Sequence, residues 1–356
     1  WVRMLVWVAS LGLGTAAIAL TFIEIYSTAE AKQAIIVTMA SPAGLAFTGP
    51  AHYLSDYNDG SILSHQLLGF TAILIGIMSV LFVVRHTRTE EEAGRAELVR
   101  ANPVGRYAHL ASALLLTGVA NVALAALLAV LLPLTGITAL TWTGSLIFGA
   151  AHVAVGLTFA GVAAVTAQLT QSSRGANGLG IAAVGGAYLL RASGDAAQSD
   201  LSWASPIGWA QQSFPYLENR WWPLALNLLA FVALSALSMA LSARRDLGSG
   251  MRAPRRGRAS ATSMLRTPLG LTLRLHRGML LGFAIGLGLL GMSYGPFLGD
   301  IETEFSDISF IDETLTAMGL PVGHDYMSFD VAELDGVQLT VCRTGYTGER
   351  GYELVA

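Results

Sequence analysis

Long apolar runs, each closed by a short polar stretch, set the pattern of this chain. Seven such runs occur, at about 4–22, 66–84, 108–133, 143–168, 177–194, 223–243 and 278–298. A helix rises about 1.5 Å per residue, so about 20 apolar residues cross the hydrocarbon of a bilayer. Each run therefore predicts a transmembrane helix. The first is longer than the roughly 7–15 apolar residues of a signal peptide, so it is read as a retained span. The run 35–48, IIVTMASPAGLAFT, is too short to cross and is broken by Pro42. It predicts an interfacial or re-entrant piece. The fold class expected is an all-α polytopic membrane protein of about seven transmembrane helices. One six-helix unit is followed by the first helix of a second, and a short β-rich fragment ends the chain.

Composition agrees. Hydrophobic residues make up 53% of the 356 and charged residues 13%, about half the charge of a soluble domain. The net charge of −3 says less than its distribution. Segment 85–106 carries Arg85, Arg88, Arg95, Arg100 and Arg106. Segment 244–277 carries nine more arginines, and Arg3 and Arg174 fall on the same side if every run crosses. Sixteen basic residues then stand on one side, against Lys32, Arg191 and Arg220 on the other. Positive loops stay in the cytoplasm. The expected location is the cell membrane, multi-pass, with a cytoplasmic N-terminus and residues from 299 onward outside. A chain beginning at Trp1 and not Met is expected to lack its natural N-terminus. The single cysteine, Cys342, excludes an intrachain disulfide framework and a cysteine zinc cluster.

Small residues recur along the runs. Gly278, Gly282 and Gly286 repeat every four residues, and GLGIAAVGG at 178–186 lies inside a run. Both read as close helix packing. Residues 266–298, an Arg-bearing approach leading into an apolar run, resemble residues 1–26. This suggests a duplicated six-span unit, of which the second copy holds one span here. The expected divisions are a first six-span unit at 1–245, a basic linker at 246–277, a seventh span and outer segment at 278–313, and a separate fragment at 320–356.

Catalytic signatures are missing from the membrane-spanning part. Lys32 sits in TAEAKQ without the glycines of a phosphate-binding loop, and neither HExxH nor GxSxG occurs. The chain is read as a non-enzyme with no cofactor and no nucleic-acid partner. Ionisable side chains inside a membrane are costly and point to function. His152 lies in the fourth run, and Arg191 and Asp195 close the fifth, one turn apart. These three are the substrate-pathway candidates, with a hydrogen bond to a neighbouring helix (His152) and a structural pair (Arg191 with Asp195) as the plainer readings. Trp203, Trp209, Trp221 and Trp222 flank the sixth run and read as an interfacial aromatic belt. In segment 85–106, Glu90, Glu91 and Glu92 precede Arg95, Arg100 and Arg106, an order that suits a helix dipole and predicts one connecting helix.

Four stretches carry a family resemblance. They are the Glu/Arg-rich first loop ending VGR at 104–106, SPIGWAQQ at 205–212, RWWPL at 220–224 and SARRDLGSG at 242–250. Over about 1–310 the chain resembles the permease subunits of bacterial ABC-type exporters of the actinobacterial polyketide-antibiotic family. The resemblance implies twelve spans and export of an amphipathic small molecule. It also implies ATP hydrolysed on a separate ATP-binding cassette subunit, with loop 85–106 (Glu90, Glu91, Glu92, Arg95, Arg100 and Arg106) as the coupling element. Membrane lipid and the small amphipathic substrate complete the expected partners.

Residues 320–356 change character. VQLTV at 337–341 alternates as a strand, Gly345 and Gly348 mark a turn, and GYELV reads as a returning strand. The pattern RTGYTGE-x-GYE resembles the aminomethyltransferase (T-protein) of the glycine cleavage system. It implies folate contacts at Tyr346 and Glu353 and, as the alternative function, a folate-dependent aminomethyltransferase present only as a fragment. About 37 residues cannot enclose a folate, so the expectation is a fragment without activity, joined between about 305 and 322 by misassembly or by natural fusion.

Overall fold

The computed structural model describes residues 2–245, 249–251, 260–284, 287–288, 318, 320, 329–334, 337–342 and 353–355. The chain divides into two compact units, Trp1–Leu271 and Thr272–Ala356. That division falls inside the expected linker 246–277.

The first unit is a helical bundle. Its helices in order are α1 (Val2–Ile25), α2 (Ala29–Ala40), α3 (Pro42–Thr48), α4 (Asp59–Arg85), α5 (Arg88–Glu92), α6 (Arg95–Arg100), α7 (Ala108–Leu134), α8 (Trp142–Leu169), α9 (Ser173–Ala196), α10 (Pro206–Gln211) and α11 (Trp222–Ala243). Among the described residues five helices, beginning at Val2, Asp59, Ala108, Trp142 and Trp222, are long and apolar enough to cross a membrane. The fold is that of an all-α polytopic membrane protein. α9 has 24 residues, long enough to cross, but its glycines together with Arg191 and Asp195 make it less apolar than the five. The seventh expected span is helical over 268–284 and at 287–288; its remainder lies outside the described residues.

Helix starts follow side-chain chemistry. Asn58 accepts from the amides of Gly60 and Ser61, both at 3.0 Å, and Thr141 and Ser172 accept from Gly144 and Gly175, both at 3.1 Å. Each satisfies donors that the first turn leaves unpaired. Pro42, as first residue of α3, ends α2 and starts a new helix, with Ser41 accepting from Gly44 N at 3.0 Å. The run 35–48 is thus a broken helix pair. Loop 85–106 departs from expectation, holding two short helices where one was predicted. Gly94 between them has φ +72°, a left-handed conformation that ends α5.

α8 is the central helix, packed on α4, α7, α9 and α11. α4 and α8 are mostly buried, whereas α1, α7 and α11 each bury one stripe and leave an apolar face outward. In lipid an apolar face gains little by meeting another, so close van der Waals approach and interhelical hydrogen bonds do the holding. At Gly149 of α8 an added Cβ would lie 2.7 Å from the Ala125 carbonyl oxygen of α7. Only glycine allows this approach.

The second unit contains a three-stranded antiparallel sheet of β1 (Phe329–Leu334), β2 (Val337–Cys342) and β3 (Glu353–Val355), with β2 central. β2 and β3 match the strands expected from the alternation; β1 was not foreseen. Leu320 and Val341 are buried together with Ala332 against them, a very small core.

The α7–α8 contact yields a prediction. Gly149→Leu should lower stability by about 1–3 kcal/mol through overpacking against immovable backbone. Gly185→Leu, with nothing within 4 Å of the added Cβ, should change the melting temperature of the purified protein little. Equal melting of the two variants would refute the contact.

Candidate functional site

Polar side chains gather at the two ends of the bundle. At one end, α3 and the 3-10 helix Ala51–Ser55 fold back against α4, α9 and α10. His65 is the centre of a chain of hydrogen bonds there. Its Nε2 lies 3.3 Å from the Gly49 carbonyl oxygen and 3.0 Å from Thr48 Oγ1, and its Nδ1 lies 2.9 Å from the Tyr57 hydroxyl. A carbonyl can only accept, so Nε2 carries the hydrogen and Nδ1 accepts from Tyr57. Tyr57 in turn accepts from Gln66 Nε2 at 3.1 Å, and Gln66 Oε1 accepts from Tyr26 at 3.3 Å. Burial pushes the Tyr53 and Tyr57 hydroxyls well above their ordinary pKa, so both stay protonated donors. Tyr53 gives its hydrogen to the Gln211 carbonyl at 3.2 Å, and Gln211 Nε2 donates to the Thr48 carbonyl at 2.6 Å.

Arg191 and Asp195 join this cluster. Both are buried on α9, with Arg191 Nη1 3.4 Å from Asp195 Oδ2. The same guanidinium reaches the carbonyls of Leu45 and Phe47, each at 3.4 Å, and lies 4.5 Å from the Tyr188 ring centroid. All of these contacts are long, and Arg191 Nε and Gln211 Oε1 are buried without a protein partner. A fully buried cation held by long bonds to carbonyls and one carboxylate is loosely satisfied. Outside the bundle, His52 meets Glu218 at 2.7 Å, and Arg220 also pairs with Glu218. The hydrogen bond from His52 holds the Glu218 carboxyl below the usual range. Trp203 and Trp222 stack with centroids 5.3 Å apart.

His152 sits mid-bundle on α8, away from both ends. Its Nδ1 is 2.6 Å from the Phe148 carbonyl and its Nε2 is 2.7 Å from Thr71 Oγ1 on α4. The first must be a donation, so Nε2 accepts from Thr71 and both ring nitrogens are used.

The opposite end is basic. Arg88, fully buried at the start of α5, donates to the Ala167 carbonyl from Nε at 3.0 Å and from Nη2. It also reaches Glu91 at 2.9 Å and the Ser249 carbonyl at 3.0 Å. Arg245, past the end of α11, forks onto Glu91 at 2.9 and 2.6 Å, and its Nε donates to Gln168 Oε1 at 2.6 Å. Glu92 accepts from the Ser173 amide at 2.7 Å and the Ser173 hydroxyl at 2.5 Å, placing a carboxylate at the positive end of α9. Arg106 donates to the Ala243 carbonyl at 2.6 Å. Glu91 and Glu92 thus turn onto their own chain, while Glu90 pairs with Arg95 on the exposed face at 2.5 Å. The Arg100 side chain and Tyr346 lie outside the described residues, and Glu353 opens β3.

Sequence reading missed His65, Tyr57, Gln211, Arg88 and Arg245 as members of these clusters. His65 and Gln66 stand near the head of a 27-residue helix, and placing its start at 66 left His65 outside. An ionisable group inside that longer helix was the available signal.

The buried pair predicts an asymmetry. Asp195→Leu leaves Arg191 buried with carbonyls only and should cost roughly 3–5 kcal/mol. The double variant Arg191→Met with Asp195→Leu should recover most of that loss. Thermal unfolding of the purified protein measures both, and a double variant as unstable as the single would contradict the pairing.

Comparison with known proteins matches most of this chain to one family. A sequence family described as "Multidrug efflux system permease Rv1217c, C-terminal domain" matches residues 3–241 and 265–329. The multidrug efflux system permease protein Rv1217c of Mycobacterium tuberculosis is 40% identical over 321 residues, 89% of this chain and 57% of that protein. The chain therefore spans little more than half the length of that relative. A second, short likeness is to aminomethyltransferases. That of Mycobacterium bovis is 58% identical over 43 residues, 12% of each chain, and that of Parafrankia is 43% identical over 65 residues, 17% of this chain and 18% of the enzyme. With most of its length matched, the chain belongs to the family of multidrug efflux system permeases of the Rv1217c type, in the part described as their C-terminal domain.

Proposed function

We propose that this chain is the permease portion of an ATP-driven exporter of amphipathic small molecules, with ATP hydrolysed on a separate ATP-binding cassette subunit. One observation carries the reading. The short helix α5 is hooked into the ends of three long helices: Arg88 to α8, Glu92 to α9, and Glu91 through Arg245 to the exit of α11. A displacement of α5 and α6 by a bound partner would reach all three helices through bonds of 2.6–3.0 Å. The exposed Glu90–Arg95 pair is the part of the loop left for that partner. The printed name of the mycobacterial relative, a multidrug efflux permease, supports the transport class.

The basic end is cytoplasmic in this reading, and the end bearing α2, α3 and α10 faces outward. There the chain from Tyr26 through His65 to Gly49 closes the bundle, and Arg191 with Asp195 lies beneath the fold-back. Substrate release would need that closure to loosen. His152, fully bonded between α4 and α8, acts as a cross-link.

Two measurements test the proposal. With Cys342 replaced by Ser, Asp56→Cys should react with an impermeant maleimide in intact cells, and Ser260→Cys only after permeabilisation. Reaction of Ser260→Cys in intact cells would reverse the orientation. In the permease assembled with its ATP-binding subunit, Glu90→Gln with Arg95→Gln should lower transport per ATP hydrolysed while membrane level and melting temperature hold. Unchanged transport would make the loop a plain connector.

A further inference from the structure

A cavity of about 420 Å³ opens at the basic end between the start of α1, the end of α4 and α7. Arg3, Arg85 and His86 line it beside Met4, Phe82 and Leu116. Four other arginines at this end are engaged: Arg88 and Arg245 on Glu91, Arg95 on Glu90, Arg106 on a carbonyl. Arg3 and Arg85 have no hydrogen-bond or ion-pair partner among the described residues. They are exposed cations gathered around a partly apolar hollow, without a carboxylate in its lining.

We propose that this cavity is a binding site for an anionic phospholipid of the leaflet at the basic end, its phosphate held by Arg3 and Arg85. Three features fit that occupant. The site lies at the last turn of the spanning helix α4, the depth at which headgroups sit. Guanidinium groups match phosphate oxygens with paired donors. Met4, Phe82 and Leu116 supply an apolar floor for the first carbons of the acyl chains, which a free phosphate ion would not use. Basic pockets between spanning helices on the positive side favour anionic headgroups for these reasons. His86 adds a donor beside Arg85.

The test compares lipids retained by the full chain in mixed micelles holding equal phosphatidylglycerol and phosphatidylcholine, read by native mass spectrometry. The unaltered chain should retain phosphatidylglycerol in preference. Arg3→Gln with Arg85→Gln should weaken that retention by about tenfold, given the attraction of each basic residue near an anionic surface. Arg174→Gln with Arg274→Gln removes the same charge elsewhere and should leave it intact. Both members of the test pair are exposed, and Arg3→Lys with Arg85→Lys should retain more lipid than the Gln pair but less than the unaltered chain, since the charge stays and the paired donors are lost. Retention by the Gln pair equal to the unaltered chain would overturn the proposal. So would equal weakening by the two double Gln variants, or displacement of the lipid by millimolar inorganic phosphate or glycerol phosphate.

Discussion

Helix C-termini without enough donors are the constraint on which this bundle depends. The last turn of every helix leaves carbonyls that its own backbone cannot satisfy, and a membrane interior offers little water to take them. Here long side chains from other elements take them. Arg88 binds the Ala167 carbonyl near the end of α8, and Arg106 binds that of Ala243, the last residue of α11. Arg191 reaches the Leu45 and Phe47 carbonyls of α3, and Gln211 takes that of Thr48. A cation at a helix C-terminus also meets the negative end of the helix dipole. Each contact therefore fixes where one helix stops and which element lies across its end.

The two ends use this device differently. At the basic end the arginines come with Glu91 and Glu92, whose carboxylates bring paired, charge-assisted bonds at 2.5–2.9 Å. Such bonds are short and directional. At the other end the ion pairs of Glu218 and Asp59 are partly exposed, while the buried carboxylate Asp195 faces a guanidinium whose bonds are all 3.4 Å, beside neutral donors and acceptors around His65. A neutral chain of hydrogen bonds avoids the cost of burying ions. It also rearranges more readily, because no uncompensated charge is exposed when one link breaks.

The sequence displayed the helices more clearly than their contacts. Five apolar runs became apolar spans because length and hydropathy act locally, and Pro42 marked its break for the same reason. The fifth expected span, in α9, was harder: its glycines read as packing, yet they lower its hydropathy, and only its neighbours reveal why it is tolerated. Loop 85–106 was legible as helical but not as two pieces, since a left-handed Gly94 depends on where α5 must turn. Partnerships such as Arg245 with Glu91 join residues separated by 154 positions, and charge patterning along a loop cannot carry that information. The sequence placed Glu91 in a connecting helix; the tertiary fold made it an interior acid. β1 was missed because FDVAEL alternates weakly and becomes a strand beside β2.

The middle of the bundle completes the physical account. His152 with Thr71, Asn121 with Ser79, and Thr158 with Asn227 join α8 to α4, α7 to α4 and α8 to α11 through neutral bonds of 2.7–3.1 Å. Interhelical bonds of this type contribute only about 0.6–2 kcal/mol each, but they leave no charge at the depth where charge costs most. Charged contacts are accordingly confined to the ends, and α8 is the helix common to the central His152 and Thr158 links and to Arg88 at the basic end. α8 thus belongs both to the neutral middle and to one charged end.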